Sequence, residues 1–365
     1  MEKPKPLSNN DHPALHATYV VGGSLKDPTQ LKATRFSNFD FLYVMAGPAW
    51  EGKDFDLPEP QVLKKLVTDH AYPAGDSGEA LVPDLIARAH RAGTRVLVSI
   101  PGSDRFSYFA GDAAKRAAFA RVVTAFVKKH DYDGVEIDWE HTIVQSDHIA
   151  LLGEIRRTLN DLRTADSKTT RSYCLTTALP SSWRYTPDEA RALCSCVDWV
   201  NIMTYDMGGG IWGDTATHNT PLNAMKSELA QWLAAGFPRE KLCIGLANYG
   251  FIYRNLRPGE KSPVSLKEKG RYIDFTEAAD LIRAGWTESY DPEAQASYYF
   301  SPDGRDFMTI DSVQSIGHKL DWVLEERFRG AFWWVFHADY YPPAEGETRA
   351  RHPLLDLAAS RLGKK

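Results

Sequence analysis

The amino-acid sequence predicts an α/β protein, a closed (β/α)8 TIM barrel with a small α+β insertion between the seventh strand and the last helices. Short runs of β-branched and aromatic residues alternate with stretches of helical periodicity, as in parallel βαβ units. Eight such runs are present, the number that closes this barrel. An open doubly wound sheet is the alternative, but no glycine-rich phosphate loop follows the first predicted strand. The predicted strands span residues 17–21, 39–46, 95–100, 134–139, 173–178, 197–203, 242–247 and 330–336.

Helices are predicted between these strands because apolar residues recur there at intervals of three and four positions. Such spacing puts the apolar residues on one side of a helix, where they can pack against a sheet. Three of these stripes are Phe119, Val122, Val123, Phe126 and Val127; Leu222, Met225, Leu229, Trp232 and Leu233; and Val313, Ile316, Leu320, Val323 and Leu324.

The chain divides into a polar N-terminal segment, residues 1–16, and the barrel, residues 17–365. Residues 251–308 interrupt the barrel with several Tyr and Trp residues and with short helical and strand-like patches, so we predict a small inserted α+β lobe there. A second long segment, residues 47–78, follows the second strand on the side where barrel loops build active sites.

The composition is that of a soluble globular protein, with 43% hydrophobic and 25% charged residues. The net charge is −5 and the basic residues are scattered, which argues against a nucleic-acid partner. No apolar run is long enough to span a membrane, and no secretory signal is visible at the start. We therefore expect a soluble protein, monomeric by preference, that is cytoplasmic, released by a non-classical route or secreted with its leader removed.

The four cysteines are Cys174, Cys194, Cys196 and Cys243. Two of them lie inside apolar runs typical of buried strands, so core thiols are favoured over disulfides. The spacing of Cys194 and Cys196 is too close for a usual zinc pair, and no second pair accompanies them. The sequence accordingly predicts no metal site and no cofactor.

Three acidic residues share one face of the fourth predicted strand. Glu136, Asp138 and Glu140 alternate with the apolar Val135 and Ile137, and strand geometry separates successive acids by about 6.6 Å. In a barrel the acidic face is the interior, where like charges raise one another's pKa and share protons. A solvated acidic edge, a salt-bridged network and a metal site are the alternatives, but the intervening residues are apolar and no histidine lies within the strand.

A carboxyl group that keeps its proton near neutral pH can serve as a general acid toward a leaving-group oxygen. Glu140 is the last of the three acids and lies at the C-terminal mouth, where barrel active sites form. We therefore predict Glu140 as the proton donor, with Asp138 exchanging a proton or hydrogen bond with its neighbours. Glu136, the deepest acid, would hold the spare charge or proton.

These acids, with Asp133 before them, resemble the DxxDxDxE pattern of glycoside hydrolase family 18, the chitinases and their relatives, with Glu in place of the second Asp. The chain closely resembles this family. Glu136 stands at the second acidic position of that pattern. Further segments resemble the family's strands three, six, seven and eight in the same order, from about residue 17 to residue 339. They are Ser-Ile-Pro-Gly at 99–102, Met-Thr-Tyr-Asp-Met-Gly-Gly at 203–209, Leu-Cys-Ile-Gly-Leu-Ala-Asn-Tyr-Gly at 242–250 and Gly-Ala-Phe-Trp-Trp at 330–334.

The chain departs from the family pattern at a few positions besides Glu136. Pro101 stands at the first glycine of the strand-three motif, and Ser103 stands where an aromatic residue is common. Phe251 occupies a position where Arg often follows strand seven, and His141 a position that is often aromatic. We expect rate or specificity to differ where these residues lie.

The resemblance implies substrate-assisted retaining catalysis. The acetamido carbonyl oxygen of the substrate would attack C1 while Glu140 protonates the glycosidic oxygen, and Glu140 would then activate water. Asp138 would orient the acetamido N–H and stabilise the oxazolinium charge, and Tyr205 would donate its hydroxyl to the acetamido carbonyl.

The resemblance also implies roles in sugar binding and in support of the site. By the resemblance, the predicted substrate-binding residues are Asp206, Met203 and Trp334. Trp50 and Trp212 are also predicted to bind substrate, with Trp183 as a further candidate, because these tryptophans follow predicted strands in mouth-side loops; ordinary packing is the alternative for each. Predicted supporting residues are Asp133, Ser99 and Gly102, with Ser99 expected to support Asp133 or Asp138.

The expected partner is chitin or an N-acetylglucosamine oligosaccharide, cleaved at β-1,4 linkages. An endo-β-N-acetylglucosaminidase acting on N-glycan cores is an alternative within the same family. A non-catalytic, lectin-like barrel is an alternative of a different class, but such relatives usually lose the acid or the tyrosine, and this chain has Glu140, Asp138 and Tyr205.

Overall fold

A computed structural model describes residues 13–25, 28–46, 51–56, 61, 65–66, 80–165 and 172–364. Strands are numbered along the chain, and those of the central sheet are β1 (Leu15–Val20), β2 (Phe41–Met45), β3 (Arg95–Pro101), β4 (Gly134–Asp138), β5 (Cys174–Pro180), β6 (Trp199–Met203), β7 (Leu242–Ala247) and β13 (Gly330–Trp334). Within the described ranges they close a parallel barrel in the order β1-β13-β7-β6-β5-β4-β3-β2. The predicted fold class is confirmed.

Each predicted strand overlaps an observed one, and β7 has the predicted bounds. The ends of the others differ by one or two residues, since strand ends depend on hydrogen bonds to neighbouring strands. Because β1 starts at Leu15, the barrel begins two residues before the predicted boundary. Residues 1–12 of the predicted N-terminal segment and most of the predicted loop at 47–78 lie outside the described ranges.

Helices surround the barrel and cover the outward side chains of its strands. Val135, Ile137 and Trp139 belong to this outer core together with the first two apolar stripes that the sequence indicates. The third stripe is correct only in part, because Ile316, Leu320 and Val323 are in this core but Val313 and Leu324 are exposed. No helix in the described part of the chain is long and apolar enough to cross a membrane. The surrounding helices are α1 (Pro28–Ala33), α2 (Leu81–Arg91), α3 (Ala113–Lys129), α4 (Gln145–Ala165), α5 (Pro187–Cys196), α6 (Leu222–Ala234), α9 (Val313–Glu325) and α10 (Pro353–Arg361).

Gly134 explains how β4 enters the barrel beside β5. Its φ is +156°, and a Cβ at this position would lie 2.0 Å from the carbonyl oxygen of Cys174. Only glycine permits so close an approach of two backbones. This contact sets the register that pairs Glu136 with Thr176 and turns Glu136 to the inside.

The cysteines are free thiols, as predicted. Cys174 and Cys243 are buried on barrel strands, where burial raises the pKa of Cys174 to about 12. Cys194 and Cys196 are partly buried on α5. None of these thiols lies in the pocket at the barrel mouth.

The inserted lobe is a five-stranded antiparallel sheet in the order β10-β11-β12-β8-β9 with two helices. Its sheet begins at Tyr249 and ends at Thr309, slightly wider than the predicted 251–308, because β8 follows β7 after a single residue. The lobe consists of β8 (Tyr249–Tyr253), α7 (Leu266–Lys269), β9 (Gly270–Asp274), α8 (Phe275–Arg283), β10 (Thr287–Asp291), β11 (Ala296–Phe300) and β12 (Phe307–Thr309).

The lobe docks on the segment that precedes α6. His218 contacts Asp291 at 3.2 Å, and its ring stacks on Tyr298 with centroids 3.7 Å apart. The side-chain amide of Asn219 donates to the carbonyl oxygen of Tyr249 over 3.0 Å. These contacts hold three strands of the lobe against the segment before α6.

Candidate active site

Three carboxyl groups of β4 and the residues after it face the barrel interior, as the alternation predicts. Glu136 is 0% exposed and Asp138 is 4% exposed. Glu140 follows the end of β4 and lines the pocket at the mouth, where it is partly exposed. We call Glu136, Asp138 and Glu140 the acid ladder.

Glu136 is hydrogen-bonded by residues from three other strands. The Tyr19 hydroxyl donates to Oε2 over 2.5 Å, Asn201 Nδ2 donates to Oε1 over 2.6 Å, and the Thr176 hydroxyl lies 3.3 Å from Oε1. Burial raises the pKa of Glu136 to about 7, and these hydrogen bonds oppose the rise. Glu136 therefore titrates near neutral pH at the base of the ladder.

Asp138 lies between the two other acids of the ladder. Burial raises the pKa of Asp138 well above its ordinary value, and the charges of Glu140 and Glu136 raise it further. Its Oδ1 accepts no hydrogen bond from the residues that the structure describes. Burial also raises the pKa of Glu140, while nearby His141 opposes that rise. Asp138 and Glu140 therefore hold their protons to higher pH than exposed carboxyl groups do.

Tyr205 and Asp206 follow β6 and line the same pocket. Asp206 has a left-handed φ of 54°, and Asn219 stabilises this turn by accepting the Asp206 N–H at Oδ1 over 2.8 Å. The Tyr249 hydroxyl donates to Asp206 Oδ1 over 2.7 Å, and burial raises the pKa of Asp206 to about 6. Burial and the neighbouring acids raise the pKa of Tyr205, so its phenol stays neutral and can donate a hydrogen bond.

Trp334, Met203 and Trp212 line this pocket as well. Trp334 ends β13, and its indole packs on Tyr19 with ring centroids 5.5 Å apart. Trp212 is 59% exposed at the rim and meets Phe251 edge-on. The pocket encloses about 590 Å³ of empty space, including its open mouth.

Asn248 holds the backbone that carries Trp334. The Trp334–Val335 peptide is cis. The N–H of Val335 donates to Asn248 Oδ1 over 2.6 Å, and Asn248 Nδ2 donates to the Val335 carbonyl over 2.8 Å. The position of the indole therefore depends on the residue between β7 and β8.

Asp133 lies at the opposite end of β4 from the pocket. Its Oδ2 accepts the N–H of Val96 over 2.7 Å and contacts His90 Nε2 at 2.9 Å. Asp133 therefore joins β4 to β3 and α2, which is a structural position.

Ser99 lies on β3, the strand next to β4, and Gly102 directly follows β3. Ser99 is buried and pairs in register with Glu136, whereas Asp133 or Asp138 was the expected neighbour. The N–H of Gly102 donates to the carbonyl oxygen of Asp138 over 3.0 Å. A Cβ on Gly102 would lie 2.1 Å from the Phe106 ring, so this close approach requires glycine.

The remaining predicted positions lie at the rim or outside the described residues. The Trp183 indole donates to the carbonyl oxygen of Glu140 over 3.1 Å, so it supports the chain behind the acid. His141 is exposed, and its carbonyl oxygen accepts the Trp139 indole N–H. Trp50 and the side chain of Ser103 lie outside the described part of the chain.

Sequence reasoning missed several residues that complete the site. Tyr19 and Asn201 donate hydrogen bonds to Glu136. Both lie on strands that were predicted from their apolar residues alone. The sequence did contain an indication that both side chains face the barrel interior. Tyr19 is two residues from the inward-facing Ala17, and Asn201 is a polar residue within a buried strand. Tyr272, which comes from the lobe, lines the pocket without any motif of its own.

The pocket combines carboxyl, phenol and indole groups, and the described residues that line it include no lysine or arginine. Among the described residues, no group of His, Cys, Asp and Glu side chains has the arrangement to hold a metal ion. Such a lining suits a neutral ligand with hydroxyl or amide groups and an apolar face.

The family model of glycosyl hydrolases family 18 matches residues 75–339. Chitinase A1 of Niallia circulans is 28% identical over 303 residues, which cover 71% of this chain and 42% of that protein. An endochitinase of Manduca sexta is 23% identical, with 70% of this chain and 51% of that protein covered. The chain thus spans about half the length of these curated relatives.

Solved structures with this fold cover nearly the whole chain. A family 18 chitinase from Cycas revoluta in complex with (GlcNAc)4 superposes with a TM-score of 0.74 at 20% identity, covering 96% of this chain and 100% of that one. A family 18 N-acetylglucosaminidase from Paenibacillus barengoltzii gives 0.72 at 25% identity, with 95% and 99% covered. Because the family model spans well over half of the residues, this chain belongs to glycosyl hydrolases family 18.

Proposed function

We propose that this protein is a chitinase-type glycosidase that cleaves β-1,4-linked N-acetylglucosamine polymers or oligomers with retention of configuration. The observation that carries the proposal is the acid ladder, which opens into a pocket shared with Tyr205 and Trp334. The relatives named chitinase and endochitinase support the substrate class.

Glu140 is the proposed general acid and base. It is the ladder residue nearest the mouth, and burial keeps its pKa raised, so its carboxyl retains a proton for the glycosidic oxygen. After the leaving group departs, the resulting carboxylate activates a water molecule, and the proton returns to Glu140. Microscopic reversibility requires the same residue to serve both steps.

The nucleophile in this proposal is the acetamido carbonyl oxygen of the substrate itself. Tyr205, whose phenol stays neutral, donates a hydrogen bond to that oxygen and holds it under C1. The bond to C1 forms as the glycosidic bond breaks, which gives an oxazolinium ion. Intramolecular attack of this kind gains effective molarities on the order of 10⁵–10⁸ M when the geometry is right.

Asp138 lies between Glu136 and Glu140 and can exchange a proton with either of them. While it shares a proton with Glu136, it leaves Glu140 protonated; when the oxazolinium forms, Asp138 turns toward the acetamido N–H and its negative charge stabilises the ion. The unmatched Oδ1 and the titration of Glu136 near neutral pH supply the acceptor and the proton site that this exchange needs.

Trp334 and Met203 form apolar surface beside the reacting groups, and Asp206 adds a hydrogen-bonding carboxyl. Aromatic faces pack well against the apolar faces of pyranose rings. We assign these residues to the sugar bound at the cleavage point, and Trp212, at the rim, to a neighbouring sugar.

The test compares wild type with Glu140→Gln on N-acetylglucosamine oligomers and on a high-mannose glycopeptide, and follows the products and their anomeric form. We expect oligomer cleavage with a β-anomeric first product, reduced in Glu140→Gln by about 10²–10⁴-fold, the usual contribution of a general acid. Glu325→Gln, an exposed change at the end of α9, is the matched control.

Each other outcome has a definite meaning. Undiminished oligomer cleavage by Glu140→Gln would refute its role as the acid. Cleavage of the glycopeptide alone would identify an endo-β-N-acetylglucosaminidase. Binding of oligomers with no cleavage by wild type would identify a lectin-like barrel.

A further inference from the structure

Asn219 lies between β6 and α6 and is hydrogen-bonded both to the turn after β6 and to the inserted lobe. Its Oδ1 accepts the Asp206 N–H over 2.8 Å, and its Nδ2 donates to the Tyr249 carbonyl oxygen over 3.0 Å. Its backbone carbonyl accepts the Met207 N–H over 3.0 Å, and its own N–H donates to the Thr309 hydroxyl oxygen over 3.2 Å. Asn219 is 2% exposed, so it joins the turn to β8 and β12 from behind the pocket.

The side chains of Asp206 and Tyr249 both line the pocket. The Tyr249 hydroxyl donates to Asp206 Oδ1 over 2.7 Å. Asn219 therefore holds the backbone of the donor residue and the backbone of the acceptor residue of one hydrogen bond. A shift of either backbone would change the direction in which the Asp206 carboxyl faces a ligand.

The backbone of Asp206 depends on such support because its φ is 54°. Left-handed backbone is unfavourable for a residue with a Cβ, and it persists where the surrounding structure holds it in place. Asn219 accepts the N–H groups of both Asp206 and Met207. Without the Asn219 amide, the left-handed residue would lose the bond to its own N–H.

An amide side chain satisfies the two side-chain contacts of Asn219 at once. It meets the Asp206 N–H on one side and the Tyr249 carbonyl oxygen on the other, so it must supply both an acceptor and a donor. A carboxylate supplies acceptors alone, and an aliphatic side chain supplies neither. The residue type at this position therefore matters for the geometry of the turn.

The residues on either side of Asn219 fasten the same segment to its surroundings. The His218 ring stacks on Tyr298 of the lobe with centroids 3.7 Å apart. The Thr220 hydroxyl donates over 2.6 Å to Asp311, which lies between β12 and α9. The position of Asn219 is therefore set by the way the lobe docks on this segment.

We propose that Asn219 is a positioning residue for Asp206, and that sugar binding depends through it on the docking of the inserted lobe. The described residues that line the pocket do not include Asn219, so its effect on a ligand passes through Asp206 and Tyr249. The inference rests on the proposed function, in which Asp206 binds the N-acetylglucosamine unit at the cleavage point.

The first experiment measures KM, kcat and the urea midpoint for Asn219→Leu, which keeps a similar volume and removes both hydrogen-bonding groups. We expect KM on N-acetylglucosamine oligomers to rise about tenfold, as for the loss of one hydrogen bond, and kcat to stay within about threefold. Asn219→Asp keeps the acceptor for the Asp206 N–H, so its KM should lie between those of wild type and Asn219→Leu. Asn223→Leu, an exposed change on α6, is the control and should change neither constant. A wild-type KM in either Asn219 variant overturns the positioning role, even if the urea midpoint falls.

Thr309→Val tests the same connection from the side of the lobe. It removes the hydroxyl that accepts the Asn219 N–H and keeps the shape of the side chain. We expect KM to rise about threefold with kcat unchanged, since one backbone contact of Asn219 is lost. Thr287→Val, an exposed change on β10 of the same sheet, is the control. A wild-type KM in Thr309→Val would contradict the dependence on the lobe.

A double-mutant cycle on binding separates positioning from a general loss of packing. The Kd of N-acetylglucosamine oligomers is measured for Glu140→Gln alone, with Asn219→Asp, with Asp206→Gly and with both changes. Glycine removes the carboxyl and adopts left-handed backbone without strain. Each change should weaken binding, and the pair should bind within about twofold of Asp206→Gly alone. Effects that multiply would refute the proposal, because Asn219 would then act without Asp206.

The two proposals fail in different ways. If wild type cleaves no oligomer but Glu140→Gln binds it, the proposed function is wrong, and the cycle still tests Asn219 because it requires binding alone. If wild type cleaves oligomers and the effects in the cycle multiply, the proposed function stands and the inference is wrong. If none of the proteins binds oligomers, both are wrong.

Discussion

Two clusters of buried charged or titratable groups in the described part of this molecule are built in opposite ways. Beneath the lobe, Lys319 and Asp311 are fully buried as an ion pair, with Nζ 2.5 Å from Oδ2. Thr220 and Ser315 supply further hydrogen bonds to that pair. In the acid ladder, by contrast, three carboxyl groups share the barrel interior, and the groups that hydrogen-bond Glu136 are a phenol, an amide and a hydroxyl.

The ion pair has a structural role, whereas the acid ladder has the properties of a reactive site. A buried cation next to a buried anion lets both stay charged, and their geometry then joins α9 to the segment before α6. Carboxyl groups without a cation keep protons instead, because desolvation and mutual repulsion penalise the charged forms. Groups that hold and exchange protons near neutral pH are typical of active sites.

The largest expected effect comes from breaking the buried ion pair of Lys319 and Asp311. Lys319→Met leaves Asp311 buried without its cation, and we expect the free energy of unfolding to fall by about 3–5 kcal/mol, measured by urea denaturation. The kcat of the folded fraction should stay unchanged. In Lys319→Met with Asp311→Leu, most of the loss should be recovered; a double variant no more stable than the single one would contradict this reading.

Asp138→Asn should have a comparable effect on activity and little on folding. The amide keeps the size of the carboxyl but can neither exchange a proton with Glu136 or Glu140 nor place a negative charge beside the proposed oxazolinium ion. We expect kcat to fall about 10²–10³-fold, with the urea midpoint equal to or above that of wild type. A kcat within tenfold of wild type would show that the ladder works without Asp138.

The smallest effect is a pH dependence of stability from Glu136. Its ordinary pKa is 4.5 and its folded-state pKa is about 7, so the unfolded chain releases the proton first as pH rises. The stability contribution is complete below pH 4.5 and declines by roughly 3 kcal/mol up to about pH 7. Glu136→Gln should flatten this decline relative to wild type and to the control Glu325→Gln; parallel curves would disprove it.

Much of the site could be predicted because the residues that indicate it are close together in the sequence. Alternation along β4 indicates which side chains face inward, and Glu136, Asp138 and Glu140 lie within five consecutive residues. The turn that carries Tyr205 and Asp206 is likewise one short segment. The distant partners of Glu136 could not be predicted in this way, since Tyr19, Asn201 and Thr176 lie 117, 65 and 40 residues away.

By itself the sequence determined the barrel, the acid ladder and the family, because periodicity and motif spacing are properties of neighbouring residues. Tertiary structure alone decided which groups surround each acid of the ladder and which residues form the pocket wall. A pKa depends on which groups surround a side chain in space, as the partners of Glu136 illustrate. Tyr272 likewise reaches the pocket only because β9 pairs with β8 and the lobe docks beside the barrel mouth.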